Sequence, residues 1–196
     1  MNTYLLPAQI DNQTYTVQPA LLPQEYVVDN LFSLMITQRK ASARITMQLF
    51  YNQVNTHDIP SIVELLAQHL PNVLFTQCFN DEGYPFNVEV KNTEIGHLFE
   101  HILLEYLCQL KIAKGHTNAS FSGRTKWNWI RDPRGKFHIQ LTCGAKDSDI
   151  LPEAIEKTVS LMKIILANHQ TPLFYVKPEV ELDNGAKNGK KIKKSK

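Results

Sequence analysis

Residues 95–114 constrain the fold most, because their apolar side chains recur with the period of an α-helix. Projected at ~100° per residue, these side chains form one broad arc. The remaining sector of the helix is polar and holds His97, Glu100, His101 and Glu105. Asn92 or Thr93 is the expected N-terminal cap, and Gly115 suits the left-handed position that follows a last helical turn. The sequence therefore predicts a domain organised around this helix.

The polar sector of the helix carries the sharpest chemical signal in the chain. His97 and His101 are four residues apart, so both imidazoles lie on one helix face and suit a single metal ion. Glu100 completes the H-x-x-E-H order of the inverzincins, in which the carboxylate serves as general base for the attacking water. The alternative is a solvated face with two surface histidines. Leu104 and Cys108 interrupt the polar sector, which favours a partly buried cleft and hence a zinc site.

Two histidines are not a complete set, because catalytic zinc usually takes three protein ligands. Glu105 lies about 12 Å along the helix axis from His97, too far to share one ion, so it is predicted to orient His101 instead. The third ligand is expected from another element. Cys143, at the end of a predicted strand, is the first choice, although a buried small hydrophobe is its plainer interpretation. The other candidates are Cys78, His116 and His138.

A second candidate site element follows Gly123. The guanidinium of Arg124 suits bidentate binding of a carboxylate, so Arg124 and Thr125 are predicted to contact substrate. An exposed Arg with a structural role is the alternative. Trp127 and Trp129 lie on one face of a predicted strand, where packing is favoured over stacking on a ligand.

Length and composition indicate one globular domain. The chain has 196 residues, of which 43% are hydrophobic, and no apolar run reaches the ~18 residues that a membrane span requires. The N-terminus lacks a basic segment followed by an apolar run, so the predicted location is cytoplasmic. Cys78, Cys108 and Cys143 are widely spaced and odd in number, which favours reduced thiols over a disulfide framework.

The formal net charge of +2 conceals an uneven distribution. Six lysines fall in the last ten residues, so the rest of the chain carries about −4 (+2 minus 6). This balance argues against specific nucleic-acid binding by the domain, and it predicts a disordered Lys-rich tail over residues 181–196.

The remaining segments predict an α+β domain of two layers, with a mixed or antiparallel sheet and packed helices. Strands are expected at residues 43–51, 72–78, 86–90, 119–125 and 137–143, and a Trp-containing strand precedes the turn at Asp132-Pro133. Further helices are expected at 24–38, 58–70 and 149–169. The predicted organisation is a lead-in at 1–57 that packs on the domain, a domain at 58–180, and the tail.

Several of these segments together resemble the N-terminal domain of cyanophycin synthetase, over roughly residues 58–169. The resemblance rests on Asp58-Ile59-Pro60, Leu70-Pro71, Cys78, residues 93–105 with the histidine motif, Gly123-Arg124-Thr125, and the strand over 135–142. That family polymerises aspartate and arginine with ATP-grasp and Mur-ligase-like domains that this chain is too short to hold. The resemblance therefore implies a free-standing relative of the N-terminal domain that is not itself an ATP-dependent ligase.

The resemblance also implies a function. In that family the N-terminal domain holds the growing polymer, and in some members it is a zinc-dependent peptidase. The family motif corresponds to His97, Glu100, His101 and Glu105. The family commonly has a carboxylate near the end of the later strand, where this chain has Thr142-Cys143.

These observations lead to two principal hypotheses. The first is a zinc-dependent hydrolase that cleaves a peptide or isopeptide bond of an Asp/Arg polymer. The second is a non-catalytic module that binds such a polymer or a polymer synthetase. A homo-oligomer with the histidine face at its interface is a third arrangement, and no membrane partner is expected.

Overall fold

The computed structural model describes residues 24–79 and 83–167 and confirms the predicted α+β class. The strands are β1 (Gln24–Val28), β2 (Phe32–Gln38), β3 (Ala43–Leu49), β4 (Gly123–Lys126) and β5 (Lys136–Leu141). The helices are α1 (Ile62–His69), α2 (Phe86–Glu89), α3 (Ile95–Ala113) and α4 (Leu151–Ala167).

The five strands form one antiparallel sheet in the order β1-β2-β3-β5-β4. Side chains alternate between the two faces, so Phe32, Leu34 and Ile36 of β2 are buried while Met35 is exposed. The same alternation in β3 and β5 places one apolar face against the helices. The opposite face carries polar and charged side chains such as Arg44 and Gln140.

Helix α3 covers the apolar face of the sheet. Phe99 of α3 meets Phe32 of β2 edge to face, with ring centroids 6.3 Å apart. Gly96 allows the helix to approach β5 closely, because a Cβ at this position would lie 2.4 Å from Cγ of Phe137. The helix begins at Ile95 with Glu94 as its N-cap residue, slightly later than the predicted cap at Asn92 or Thr93.

The two ends of the helical layer are fixed by capping and by packing. Gly115 has a φ of +90°, as predicted for the residue that ends α3. Helix α4 packs on α3, and Lys163 of α4 forms an ion pair of 2.8 Å with Asp29 in the β1–β2 turn. The histidine face of α3 is therefore left toward β4 and α2 rather than toward α4.

Four local predictions were wrong. Residues 24–38 form the β1–β2 hairpin instead of a helix, because Asp29 turns the chain at a φ of 46° and the flanking apolar residues alternate. The expected strands at 72–78 and 86–90 are a 3-10 turn at Pro71–Phe75 and the short helix α2. The Trp127–Trp129 segment forms a turn after β4, where both indoles pack near Phe137.

The predicted boundary at residue 58 does not separate two structural units. Strands β1, β2 and β3 precede it, yet they form one sheet with β5 and β4. Residues 1–23 and the predicted tail at 181–196 lie outside the described residues. Among the described helices, none is both long and apolar enough to span a bilayer.

Candidate metal centre

Three elements meet at one cleft of about 340 Å³. Helix α3 forms its floor and contributes His97, Glu100 and His101. The segment after the 3-10 turn contributes Cys78 to one wall, and β4 with Thr125 forms the other. The cleft thus joins the predicted motif to residues far from it in sequence.

Cys78, His97 and His101 bring their ligand atoms together. The two Nε2 atoms are 3.1 Å apart, and Sγ of Cys78 is 3.5 Å from Nε2 of His97. All three ligand atoms lie within 4.8 Å of one another. Tetrahedral zinc with ordinary bond lengths needs roughly 3.3 Å between two nitrogens and roughly 3.6 Å between sulfur and nitrogen. The donor types and their spacing therefore fit zinc.

Hydroxyl groups hold the outer nitrogens of both imidazoles. Thr76 donates its hydroxyl proton to the carbonyl of Val73 at 2.7 Å, so it accepts a proton from Nδ1 of His101 at 3.1 Å. This tautomer leaves Nε2 of His101 with a lone pair directed at the cluster. Thr93 Oγ1 lies 2.8 Å from Nδ1 of His97 in the equivalent position. Such outer contacts orient metal-binding imidazoles.

Burial keeps both imidazoles neutral. It lowers the pKa of His101 to about 3, with a smaller contribution from the neighbouring His97. Burial also lowers the pKa of His97, although the negative charge of Glu89 opposes the shift. Phe86 stacks on the His101 ring at 3.8 Å and forms part of this apolar surrounding. Neutral imidazoles are the form that binds metal at pH 7.

Glu100 lies beside the ligand cluster without belonging to it. One carboxylate oxygen accepts a hydrogen bond of 2.5 Å from the Thr125 hydroxyl. Burial raises the pKa of Glu100 to about 7, against the lowering effect of hydrogen bonds from the side chain and backbone of Thr125. Gly123 makes room for the carboxylate, since a Cβ there would lie 2.5 Å from Oε1. A carboxylate that titrates near neutral pH suits general base catalysis.

Cys143, the predicted third ligand, does not reach this site, and the thiol that lies beside the two imidazoles is that of Cys78. Cys143 is fully buried near Asp147, and burial together with that carboxylate raises the pKa of its thiol to about 12. Asp147 pairs at 2.9 Å with Lys111, which lies about 15 Å beyond His101 along α3. Cys143 therefore lies at the other end of the helix.

The predicted contact between Glu105 and His101 is also corrected. Glu105 accepts a hydrogen bond from Gln109 at 2.8 Å, and the hydroxyl of Thr76 occupies Nδ1 of His101. The alternative ligands lie elsewhere, since His138 pairs with Asp132 at 3.0 Å and His116 is exposed beyond the end of α3. Sequence reasoning missed Thr76 and Thr93 as imidazole partners, because single threonines in loops carry no distinguishing pattern.

The residues predicted to bind substrate have different surroundings. Arg124 borders the cleft with an exposed side chain, whereas Thr125 faces α3 and binds Glu100. Glu89 and Glu94 also line the cleft. Burial raises the pKa of Glu94, and the charge of Glu89 adds to this shift. The cleft is thus lined by two carboxylates, and the Arg124 guanidinium lies at its border on the outer face of β4.

Comparison with known proteins agrees with the family resemblance. Residues 44–132 match the sequence model of the cyanophycin synthase-like N-terminal domain. No curated protein and no solved structure gives a significant match to the chain. The matched range begins within β3 and includes Cys78, the histidine helix and β4. Residues 44–132 are therefore similar to the cyanophycin synthase-like N-terminal domain.

Proposed function

We propose that this protein binds zinc through Cys78, His97 and His101 and hydrolyses a peptide or isopeptide bond. The observation that carries the proposal is the convergence of one thiol and two neutral imidazoles beside a buried carboxylate. When bound, zinc supplies Lewis acidity that polarises a carbonyl oxygen and lowers the pKa of water.

The remaining steps fall to the residues of the chain. Glu100 accepts a proton from the attacking water and returns it to the leaving amine as the C–N bond breaks. The Thr125 hydroxyl holds the Glu100 carboxylate toward β4 and restricts its rotation. Burial of the carboxylate excludes bulk water, so the proton passes between water, Glu100 and the amine.

The charges of the cleft support an Asp/Arg polymer of the cyanophycin type as the substrate. Glu89 and Glu94 suit the cationic guanidinium groups of such a polymer, and Arg124 suits a carboxylate. The similarity of residues 44–132 to the cyanophycin synthase-like N-terminal domain favours the same class of polymer. The same charges would serve a module that only binds the polymer, so the proposal needs a test of turnover.

The test combines metal analysis with an assay of bond cleavage. The purified full chain is expected to hold one zinc per chain and to release primary amine from an Asp/Arg polymer, with both properties lost after chelation. Absence of stoichiometric zinc, together with no release of amine when zinc is supplied, would contradict the proposal. Polymer binding without release of amine would support the binding module instead.

A further inference from the structure

Strand β4 forms both the end of the sheet and one wall of the metal cleft. It pairs with β5 on one side, and within residues 24–79 and 83–167 no strand pairs with its other edge. Residues 122–125 line the cleft. An unpaired edge presents backbone donors and acceptors to whatever lies beside it.

The register identifies which backbone groups face the cleft. The amide of Thr142 donates to the carbonyl of Ser122 at 2.9 Å, so this pair is hydrogen-bonded. Hydrogen-bonded pairs alternate in an antiparallel ladder, which directs the backbone groups of Arg124 and Lys126 toward β5. The backbone groups of Gly123 and Thr125 then point toward the cleft.

One of these groups already has a partner in the site. The amide of Thr125 donates to the carboxylate of Glu100. Among residues 24–79 and 83–167, no backbone group pairs with the amide or carbonyl of Gly123 or with the carbonyl of Thr125. Gly123 and Thr125 are about 7 Å apart along the strand. This spacing matches the backbone of an extended peptide, which repeats every two residues.

The side chains of the edge add a charge preference. Arg124 and Lys126 are exposed on the sheet face opposite α3. Arg44 of β3 lies on the same face, because Gln140 of β5 pairs with Arg44 on one side and with Arg124 on the other. Among the described residues, neither Arg124 nor Lys126 has a carboxylate within ion-pair distance. Residues directly opposite on an added strand would project toward these two cations.

We propose that the free edge of β4 binds an extended peptide as an added antiparallel strand, with Arg124 and Lys126 selecting acidic side chains at every second residue. The bound backbone then runs along β4 beside Glu100, so that its carbonyls pass the ligand cluster. The added strand would be the way in which a peptide substrate is held at the metal site. This role rests on the proposed function.

The direct test uses the unaltered protein and varies the peptide. The probe is a fluorescently labelled octapeptide of alternating Glu and Val. Its binding to the full chain is measured by fluorescence anisotropy. In the proposed register, Val residues lie opposite Gly123 and Thr125, and Glu residues lie opposite Arg124 and Lys126. N-methylation of the Val amides is expected to weaken binding at least tenfold, and N-methylation of the Glu amides less than threefold. Equal effects, or the reverse order, would overturn the proposal.

Charge variants provide the second arm. Reversing both cations, Arg124→Glu with Lys126→Glu, is expected to weaken binding of the probe at least tenfold. The matched control is Lys157→Glu on α4, where an exposed lysine pairs only with Glu153 at 3.7 Å, and its binding is expected to stay unchanged. Equal loss in the double variant and the control would contradict selection by these two cations.

The test of strand addition can fail without the proposed hydrolase failing, and the reverse also holds. Zinc content and hydrolysis are measured on the same preparation, and binding is measured with and without zinc. Hydrolysis without alternating sensitivity to N-methylation overturns only the strand-addition proposal. Alternating sensitivity without hydrolysis supports strand addition and contradicts only the proposed hydrolase.

Discussion

Replacing Glu100 by Gln is expected to reduce hydrolysis at least 100-fold while zinc remains bound. The substitution keeps the shape of the side chain and the acceptor for Thr125, but it removes the group that takes the proton. General bases contribute about 10²- to 10⁴-fold to rates, so the loss should be readily measured. Release of primary amine and zinc content on the same sample provide the measurement.

The control for this variant is Glu105→Gln on the same helix. Glu105 contacts Gln109 and lies outside the ligand cluster, so its replacement is expected to retain hydrolysis. Wild-type turnover in Glu100→Gln would contradict the assigned base. If Glu100→Gln binds the polymer as the wild type does but has no turnover, Glu100 takes part in catalysis and not in binding.

The same variant should change the pH dependence of stability in the zinc-free protein. Burial raises the pKa of Glu100 in the folded state to about 7, above its ordinary value of 4.5, so the folded state binds the proton more tightly than the unfolded state. The wild type therefore loses stability from this group as the pH rises from about 4.5 to about 7, by roughly 3 kcal/mol in total. Relative to wild type, Glu100→Gln should gain about that much between pH 4 and pH 8 in urea denaturation.

Replacing Cys78 by Ala is expected to lower zinc affinity more than 100-fold. The thiol is one of three ligand atoms, and loss of an outer-shell partner alone costs about 10- to 100-fold. The matched control is Cys143→Ala, which removes the same atoms from a buried site near Asp147 and should leave zinc affinity unchanged. Competition with a chromogenic chelator measures both affinities. Loss of zinc in Cys143→Ala with retention in Cys78→Ala would restore the original assignment.

The parts of the fold that depend on local pattern could be predicted from the sequence. The period of α3, its end at Gly115 and the alternation of β3 and β5 are all properties of neighbouring residues. Glu105 is too far from His97 to share a metal ion by the rise of one helix alone. The β1–β2 hairpin was missed because a run of apolar residues with imperfect period fits either a helix or two strands.

The contacts that complete the candidate site could not be predicted in this way. Cys78 reaches His97 because the 3-10 turn at Pro71–Phe75 brings residues 76–79 over α3. Thr125 reaches Glu100 because β4 pairs with β5 at the end of the sheet. Both contacts depend on the packing of distant elements, which neither spacing nor composition specifies. The choice of Cys143 failed because the end of β5 lies beside Lys111 and Asp147.

X-ray absorption spectroscopy of the zinc-loaded protein tests the central claim most directly, because it reports the atoms bound to the metal. We expect one sulfur at about 2.3 Å and two imidazole nitrogens at about 2.0 to 2.1 Å, with the sulfur absent in Cys78→Ala and present in Cys143→Ala. A zinc sphere without sulfur in the unaltered protein, or no stoichiometric zinc to measure, would contradict that claim.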